Sequence, residues 1–427
     1  MSNGTKRKRK IKFASFTLQS LCAILFTESI CCLKRRILML NRLKAALADF
    51  FQQADLVLLG LCSAATIYGI LLIFSTTRYK DTERYVIVQS AALLLGICVY
   101  IAFSMVDLEL LLRRWKLVAA FNVFFILLLR TPFGKSVGGN RAWLKFPGIP
   151  VSIGPAEVVK ITFVLLLGWQ LAWLQEEKRD LRSFRSAASV GLHTVGMCGL
   201  YFVISGDMGN TLVFFFIFLC MAFVAGFALR WFALVLAGGG AVVTAAWVLN
   251  LVPNYMRERI IVLFDHSYDP LGAGWQQTRS LLALGSGGVG GQGYLNGTQT
   301  QGSYGTSLPA RWTDFVFSAC GEELGMIGCL AVIAILLAVI FRVLMVAKSA
   351  RSNFESYVCV GMASMLIFQM IINIGMCLFV MPTIGITLPF FSYGGSSVVT
   401  TFMAMGVVSG IKKRSPAARR LGKPLRQ

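Results

Sequence analysis

Apolar residues are gathered along this chain into long runs that polar segments separate. Most runs hold about 20 residues, enough for a helix to cross a hydrocarbon core of about 30 Å. Backbone polar groups cannot stay unpaired in lipid, so these runs are predicted to be helices. The pattern predicts an all-α polytopic membrane protein with about ten transmembrane helices. The predicted spans cover residues 54–76, 85–105, 116–132, 153–175, 188–204, 211–229, 231–252, 323–346, 356–381 and 396–411.

Composition supports a membrane protein and argues against a metal centre. Of the 427 residues, 56% are hydrophobic and 14% are charged, whereas a soluble domain has about 25% charged residues. The 11 cysteines lie mostly in apolar stretches, where they serve as small hydrophobic side chains. The chain has only two histidines, and no Cys/His spacing predicts a metal site.

The net charge of +22 is distributed as in a membrane protein with both termini in the cytoplasm. Basic residues cluster at the chain ends and in alternate loops, which is the positive-inside pattern. This distribution indicates a surface that attracts anionic lipids rather than nucleic acid. The clusters in the loops and near the C-terminus are Arg113, Arg114 and Lys116; Lys178, Arg179, Arg182 and Arg185; Arg230; Arg342, Lys348 and Arg351; and Lys412, Lys413 and Arg414.

The chain divides into three regions. Residues 1–53 form a basic N-terminal extension that ends in an interfacial lead-in, residues 54–412 form the transmembrane domain, and residues 413–427 form a basic cytoplasmic tail. Residues 13–33 are a weakly apolar stretch with basic residues on both sides, and an eleventh helix there would place the leading lysines outside. A start of translation at Met39 is the alternative interpretation.

The longest polar segment, residues 253–323, joins the seventh and eighth spans and is predicted to lie outside the cell. Asp314 sits there between Trp312 and Phe315, a carboxylate against aromatic surface at the membrane edge. The glycine run 285–293 lacks the GK[ST] ending of a phosphate-binding P-loop. It therefore predicts close backbone packing or a reentrant turn rather than a nucleotide site.

Three charges stand inside or beside predicted spans. Glu157 and Lys160 are three residues apart on one helix and so share nearly the same face. Asp207 begins the next outer turn, so the three side chains are predicted to converge in the outer leaflet. Charge at bilayer depth is costly and is either paired or functional. The cluster is thus a buried ion pair that fixes helix packing, or a polar cavity wall for a charged substrate.

The outer loop before these charges carries Arg141 two residues ahead of Trp143. A guanidinium group can donate two hydrogen bonds to phosphate oxygens at once, so this pair suits a phosphate headgroup. Interfacial tryptophan and arginine also serve simply as membrane anchors, and both interpretations stand.

Several motifs in order resemble the SEDS (shape, elongation, division and sporulation) family over residues 54–412. They are NRAW, PAEVVK, GDMGNT, GWQQTRSLLALGSGG, GTQT, LPARWTDFVFSACGEELG and LPFFSYGGSS. GSGG and GTQT look more like RodA-type than FtsW-type members. Two departures are Ser205-Gly206-Asp207-Met208-Gly209 in place of Q-P-D-L-G, and Trp312 where a polar residue or histidine usually precedes T-D-F. Neither removes a carboxylate.

The resemblance implies a peptidoglycan glycosyltransferase that polymerises lipid II at the outer face of the bacterial cytoplasmic membrane during elongation. A lipid II flippase, an FtsW-like division polymerase and a recruiting scaffold are the alternatives. Asp314, which matches the family's essential aspartate, is the candidate catalytic base. Whether a divalent cation assists at the leaving diphosphate is a question that the sequence leaves open. The candidate substrate-binding residues are Arg141, Glu157, Lys160, Asp207 and Gln276.

The resemblance also implies a one-to-one complex with a class B penicillin-binding protein, a transpeptidase, and association with elongation-complex proteins. The outer segment 253–323 and one late helix are the predicted contact surfaces. Helix association in lipid uses close packing of small residues. Span 356–381 offers four of them: Gly361, Ala363, Ser364 and Gly375.

Overall fold

The computed structural model describes residues 54–415, except residues 81, 138, 149–151, 178–179 and 303–306. The predictions for residues 1–53, including the start at Met39, and for the tail beyond residue 415 lie outside the described residues. The described part is almost wholly helical and has one short β-hairpin. The predicted all-α membrane architecture is confirmed.

Each of the ten predicted spans corresponds to a helix. The helices are α1 (Leu56–Thr77), α2 (Arg84–Ser104), α3 (Leu108–Leu112), α4 (Trp115–Leu127), α5 (Pro155–Glu176), α6 (Phe184–Ser205), α7 (Met208–Ala225), α8 (Leu229–Val248), α9 (Asn254–Phe264), α10 (Trp275–Gly287), α11 (Thr298–Gln301), α12 (Val316–Lys348), α13 (Asn353–Cys377) and α14 (Gly395–Arg414). The hairpin pairs β1 (Gly134–Val137) with β2 (Asn140–Leu144) in antiparallel register.

Within the described part, eight helices are long and apolar enough to cross a membrane: α1, α2, α5, α6, α7, α8, α12 and α13. The third predicted span is the shorter helix α4, which has 13 residues. The tenth is α14, whose last turn carries Lys412, Lys413 and Arg414. The hydrophobic pattern thus locates ten of the helices, of which α4 and α14 are not among the eight membrane-spanning candidates. It does not predict the shorter helices α3, α9, α10 and α11.

Close helix packing organises the bundle. Helix α2 lies along α14, α12 packs on α13 and on α1, and α13 also packs on α5 and α7. The approach of α14 to α2 depends on glycine: a Cβ atom at Gly406 would lie 2.6 Å from the Tyr100 carbonyl oxygen. Helix α8 differs, because none of its residues is buried.

The small residues of α13 are used inside this bundle. Gly361, Ala363, Ser364 and Gly375 are all buried, and a Cβ atom at Gly361 would lie 2.6 Å from the Val164 side chain of α5. The prediction that they form a partner surface is wrong. Small residues allow close approach of any neighbouring helix, and here the neighbours belong to the same chain.

An ion-pair cluster joins three helices at the end of the bundle away from Asp314. Asp55, just before α1, is fully buried. Its carboxylate accepts from Arg342 Nε of α12 at 2.9 Å and lies 3.1 Å from Lys412 Nζ of α14. Two cations and one buried carboxylate fix the relative positions of α1, α12 and α14.

The segment 253–323, predicted to lie outside the cell, contains α9, α10, α11 and the start of α12. Its glycine run packs backbone to backbone on α12. A Cβ atom at Gly287 would lie 1.9 Å from the Gly321 carbonyl oxygen. The Gln292 N–H donates to the Glu322 carbonyl oxygen at 2.9 Å. Gly325 has φ of 66° and kinks α12 there. Of the two interpretations of the glycine run, close backbone packing and a reentrant turn, the structure shows close backbone packing.

Glu322 and Glu323 organise the GTQT turn. Both side chains are buried, and the Glu322 carboxylate accepts from the backbone N–H groups of Gln299 and Thr300 at 2.6 and 2.8 Å. The Glu323 carboxylate accepts from the Ser75 hydroxyl at 2.6 Å. These two carboxylates thus hold α11 against α1 and α12.

Candidate active site

A cavity of about 380 Å³ lies where α5 and α7 begin and α13 ends. Its wall is formed by β2, the starts of α5 and α7, helices α9 and α10, residues 313–315 and the segment 383–387. The predicted site residues that line it are Glu157, Asp207, Gln276 and Asp314. Motifs far apart in the sequence thus meet in one cavity.

Asp314 is fixed through its own backbone and through its neighbour. Its carbonyl oxygen accepts a hydrogen bond from Asn373 Nδ2 at 2.8 Å. The Thr313 carbonyl oxygen accepts from the Ser392 hydroxyl at 2.6 Å. Phe315 is 1% exposed and anchors the other side. The backbone is therefore held while the Asp314 carboxylate lines the cavity.

The environment of Asp314 makes it a stronger base than an ordinary aspartate. Burial, and to a smaller extent the nearby negative charge of Asp207, together raise the pKa of its carboxyl group to about 6. A carboxylate with this pKa is largely ionised at neutral pH and accepts a proton more readily than a solvated one. The group therefore suits general base chemistry.

Asp207 caps helix α7. Its Oδ1 accepts from the Asn210 backbone N–H at 3.1 Å, and its Oδ2 accepts from Asn210 Nδ2 at 2.8 Å and from the Tyr201 hydroxyl at 3.2 Å. A capping carboxylate is stabilised by the helix dipole. Asp207 thus stays in place beside the cavity with little freedom.

Glu157 and Lys160 form an ion pair at the start of α5. Lys160 Nζ lies 2.9 Å from Glu157 Oε1, and the lysine is fully buried while the glutamate is 14% exposed. Glu157 lines the cavity and Lys160 stands behind it. The structure thus brings the three charges to one wall, with Lys160 reaching the cavity only through Glu157. Their role in substrate binding stays a prediction.

Arg141, like Lys160, is a candidate that does not line the cavity. It lies on β2, and the cavity is lined instead by Asn140, Ala142 and Trp143 of the same strand. Trp143 reaches the start of α5, because a Cβ atom at Gly154 would lie 3.4 Å from its ring. Phosphate binding by Arg141 stays a prediction that this geometry does not support.

Two residues that the sequence analysis missed complete the site. Arg259 of α9 lines the cavity and donates from Nη1 to the Thr383 carbonyl oxygen at 2.7 Å. Asn373 of α13 donates from Nδ2 to the carbonyl oxygens of both Asp314 and Ile386 at 2.8 Å each. The available signals were a basic residue on amphipathic α9 and an asparagine within an apolar span.

The segment 383–387 approaches the base closely. Gly385 has φ of 70°, and a Cβ atom there would lie 4.0 Å from Asp314 Oδ2. A positive φ is easily adopted only by glycine. Gly385 therefore allows the backbone of this segment to run close to the Asp314 carboxylate.

The carboxylates at this site are not arranged as a metal site. Over residues 54–415, apart from the gaps stated above, no group of three or more His, Cys, Asp and Glu side chains could hold a metal ion. A divalent cation that arrives with a diphosphate stays a prediction.

Comparison with known proteins agrees with the motifs. The family model for FtsW, RodA and SpoVE, described as "Cell cycle protein", matches residues 52–416. A probable peptidoglycan glycosyltransferase FtsW of Geobacter metallireducens is 28% identical over 85% of this chain and 96% of its own length. Stage V sporulation protein E of Bacillus subtilis is 31% identical over 84% of this chain and 97% of its own length.

Solved structures share the fold. A chain from a peptidoglycan synthase complex, described as coordinating polymerization and crosslinking, superimposes with a TM-score of 0.69 at 28% identity, covering 84% of this chain and 97% of its own. The rod shape determining protein RodA of Thermus thermophilus gives a TM-score of 0.60 at 24% identity, covering 85% of this chain and 98% of its own. These names do not confirm a RodA-type assignment within the family. The family match spans the whole transmembrane domain, and the chain therefore belongs to the FtsW/RodA/SpoVE family of cell cycle proteins.

Proposed function

We propose that this chain is a peptidoglycan glycosyltransferase that polymerises lipid II at the outer face of the bacterial cytoplasmic membrane. The observation that carries the proposal is Asp314, a carboxylate whose pKa is raised to about 6 in a cavity that also holds a guanidinium group. The name of the Geobacter relative gives the substrate class.

The proposed step is a displacement at the anomeric carbon of one lipid II molecule. Asp314 takes the proton from a sugar hydroxyl of the other molecule, and the oxygen forms a bond to the anomeric carbon. The bond from that carbon to the diphosphate breaks, and undecaprenyl diphosphate leaves with the electron pair. Arg259, a cation that lines the cavity, stabilises the negative charge on the leaving group.

Glu157 and Asp207 fit binding rather than proton transfer. Glu157 is paired with Lys160 at 2.9 Å, and Asp207 accepts three hydrogen bonds as a helix cap. Both carboxylates are therefore engaged by protein donors. We assign them, with Gln276 on α10, to positioning the sugar and amide groups of the substrate.

The distribution of charge supports an enzyme over a flippase. Glu157, Asp207, Arg259 and Asp314 share one cavity at one end of the bundle. The Asp55 ion pairs lie at the other end of α12. A transporter usually carries its binding site near the membrane midplane, whereas these two clusters lie at opposite ends of α12.

We make two more specific proposals, one about the stage of cell growth that the chain serves and one about its protein partners. The GSGG and GTQT motifs support elongation with its associated proteins, whereas the relatives named FtsW support division as the second candidate. The synthase complex among the similar structures supports a crosslinking partner, which we take to be a class B penicillin-binding protein. Depletion that rounds the cells would favour elongation, and depletion that produces filaments would favour division.

Polymerisation of purified lipid II by the full chain tests the proposed activity. The expected result is a ladder of glycan products from the wild-type chain and none from Asp314→Asn. A vesicle assay with labelled lipid II follows translocation in parallel. Translocation without polymer, with or without a transpeptidase, would support the flippase and exclude the glycosyltransferase.

A further inference from the structure

One lysine and four aromatic rings form a contiguous cluster beside the cavity, with three of the rings facing the lysine. Lys80 Nζ lies 3.6 Å from the ring centroid of Trp312 and 4.8 Å from that of Tyr85. The Tyr85 ring packs against Tyr393 with centroids 5.1 Å apart, and Tyr79 lies 6.5 Å from Trp312. We call these five residues the rim cluster. All five side chains are half-buried and keep part of their surface accessible.

The rim cluster adjoins the candidate base. Tyr393 lines the cavity, and its backbone N–H donates to the Trp312 carbonyl oxygen at 2.8 Å. Trp312 stands two residues before Asp314, and Thr313 between them also lines the cavity. A ligand that rests on the rim cluster therefore extends directly to the place where Asp314 acts.

Lys80 keeps hydrogen-bonding capacity for a ligand. In the part of the chain that the structure describes, no carboxylate pairs with it. An ammonium group has three donors, and the Tyr85 hydroxyl accepts one of them at 3.1 Å. The aromatic faces stabilise the cation through their quadrupoles and use no strong acceptor. Lys80 can therefore donate to an anionic oxygen.

One ring of the rim cluster, Tyr79, packs against a buried arginine. The Arg311 guanidinium lies 3.9 Å from the Tyr79 ring centroid and is 1% exposed. It donates to the carbonyl oxygens of Gln299 and Gly302 at 2.7 and 2.9 Å. The Tyr79 side of the rim cluster is thus held in place before a ligand binds, which lowers the entropy lost on binding.

We propose that the rim cluster is a binding subsite for an anionic saccharide. A sugar ring rests against the Tyr85 and Tyr393 rings, and a carboxylate carried by the saccharide accepts a hydrogen bond from Lys80. This deepens the proposed function and rests on it, because peptidoglycan strands bear peptides that end in carboxylates. The subsite holds the glycan at the edge of the cavity while Asp314 acts on the next sugar.

Binding of a soluble, lipid-free peptidoglycan fragment tests the subsite. The probe is a disaccharide-peptide oligomer, and isothermal titration calorimetry follows its binding to the full chain in nanodiscs. Lys80→Met keeps the apolar stem and removes the charge, so affinity is expected to fall at least about tenfold. Lys80→Arg is expected to restore binding. A neutral chito-oligosaccharide is expected to bind more weakly than the fragment.

Arg78→Gln is the matched control, because Arg78 is an exposed cation in the same turn as Lys80. Its affinity is expected to equal that of the wild type. No binding by the wild type, equal affinity in Lys80→Met, or an equal loss in Arg78→Gln would overturn the subsite. Lipid II polymerisation by the same preparation separates the two proposals. Polymer without Lys80-dependent binding overturns the subsite alone, and Lys80-dependent binding without polymer overturns the proposed activity alone.

Discussion

Lys160 donates from Nζ to Glu157 Oε1 at 2.9 Å, and the lysine is the fully buried member of the pair. This asymmetry decides the energetics. Without Glu157 the buried ammonium loses its charge partner, whereas without Lys160 the glutamate still faces the cavity and its water. Breaking a buried pair by removing one partner costs about 3–5 kcal/mol. Replacing Glu157 is therefore expected to lower the stability of the fold more than replacing Lys160.

Glu157→Leu is expected to lower the free energy of unfolding by about 3–5 kcal/mol, and Lys160→Met by less. The double variant replaces both charges with apolar groups and is expected to regain much of the loss. Denaturant titration of all four chains in detergent measures this double-mutant cycle. Strictly additive single losses would show that the pair has no coupling energy.

Asp314→Asn is expected to lower glycan polymerisation by about 100-fold or more, since an amide cannot accept the hydroxyl proton. Its size matches aspartate, so the variant should express and fold like the wild type. Glu258→Gln on α9 is the control, because it removes a carboxylate from the same outer segment outside the cavity wall. Polymer yield near the wild-type level in Asp314→Asn would eliminate Asp314 as the base.

The polymerisation rate is expected to rise with pH through about 6, because Asp314 acts as its carboxylate and burial raises its pKa to about 6. Asp207→Asn removes the neighbouring negative charge that raises this pKa, so the acid limb should move to lower pH. Asparagine still caps a helix well, and the fold should survive. Rate profiles measured from about pH 4.5 to 8 test this shift. An acid limb at the same pH in both chains would contradict an effect of the Asp207 charge on the pKa of Asp314.

Asn373→Leu is expected to lower the turnover rate without moving the acid limb. Asn373 Nδ2 holds the carbonyl oxygens of Asp314 and Ile386 at 2.8 Å each, so its loss displaces the base and leaves its charge environment in place. A displaced catalytic group costs about 100-fold in rate. Asn353→Leu, at the other end of α13, is the control. A shifted acid limb in Asn373→Leu, or an equal loss of turnover rate in Asn373→Leu and Asn353→Leu, would argue against a role for Asn373 in positioning Asp314.

Local contacts were predictable from the sequence, and so was the shared cavity of Glu157 and Asp207, but the distant hydrogen bonds were not. Glu157 and Lys160 pair because three-residue spacing fixes their geometry on one helix. Arg259 and Asn373 reach the site through bonds to residues 124 and 59 positions away, respectively. No periodicity encodes such bonds. Arg141 shows the converse limit: residue type and an aromatic neighbour suggested a phosphate contact, but only the strand geometry decides which side chains line a cavity.

The partner surface shows the same limit, and we now expect it on α12. Small residues on α13 are buried, whereas α12 exposes an apolar stripe beyond its kink at Gly325. The stripe consists of Met326, Leu330, Leu337, Phe341 and Leu344, all at least 40% exposed. Spacings of three, four and seven residues place them along one side of the helix.

A class B transpeptidase is expected to co-purify with this chain in a one-to-one complex and to stimulate polymerisation. The double variant Leu337→Ala/Phe341→Ala shortens two exposed side chains of the stripe, so recovery of the partner should fall several-fold while lipid II polymerisation by the chain alone is unchanged. Leu236→Ala/Val243→Ala on α8 is the control, since both residues are exposed there. Quantitative pull-down from membranes measures the recovery. Equal recovery with both double variants would reject α12 as the docking helix, and full activity with no detectable complex would reject the partnership itself.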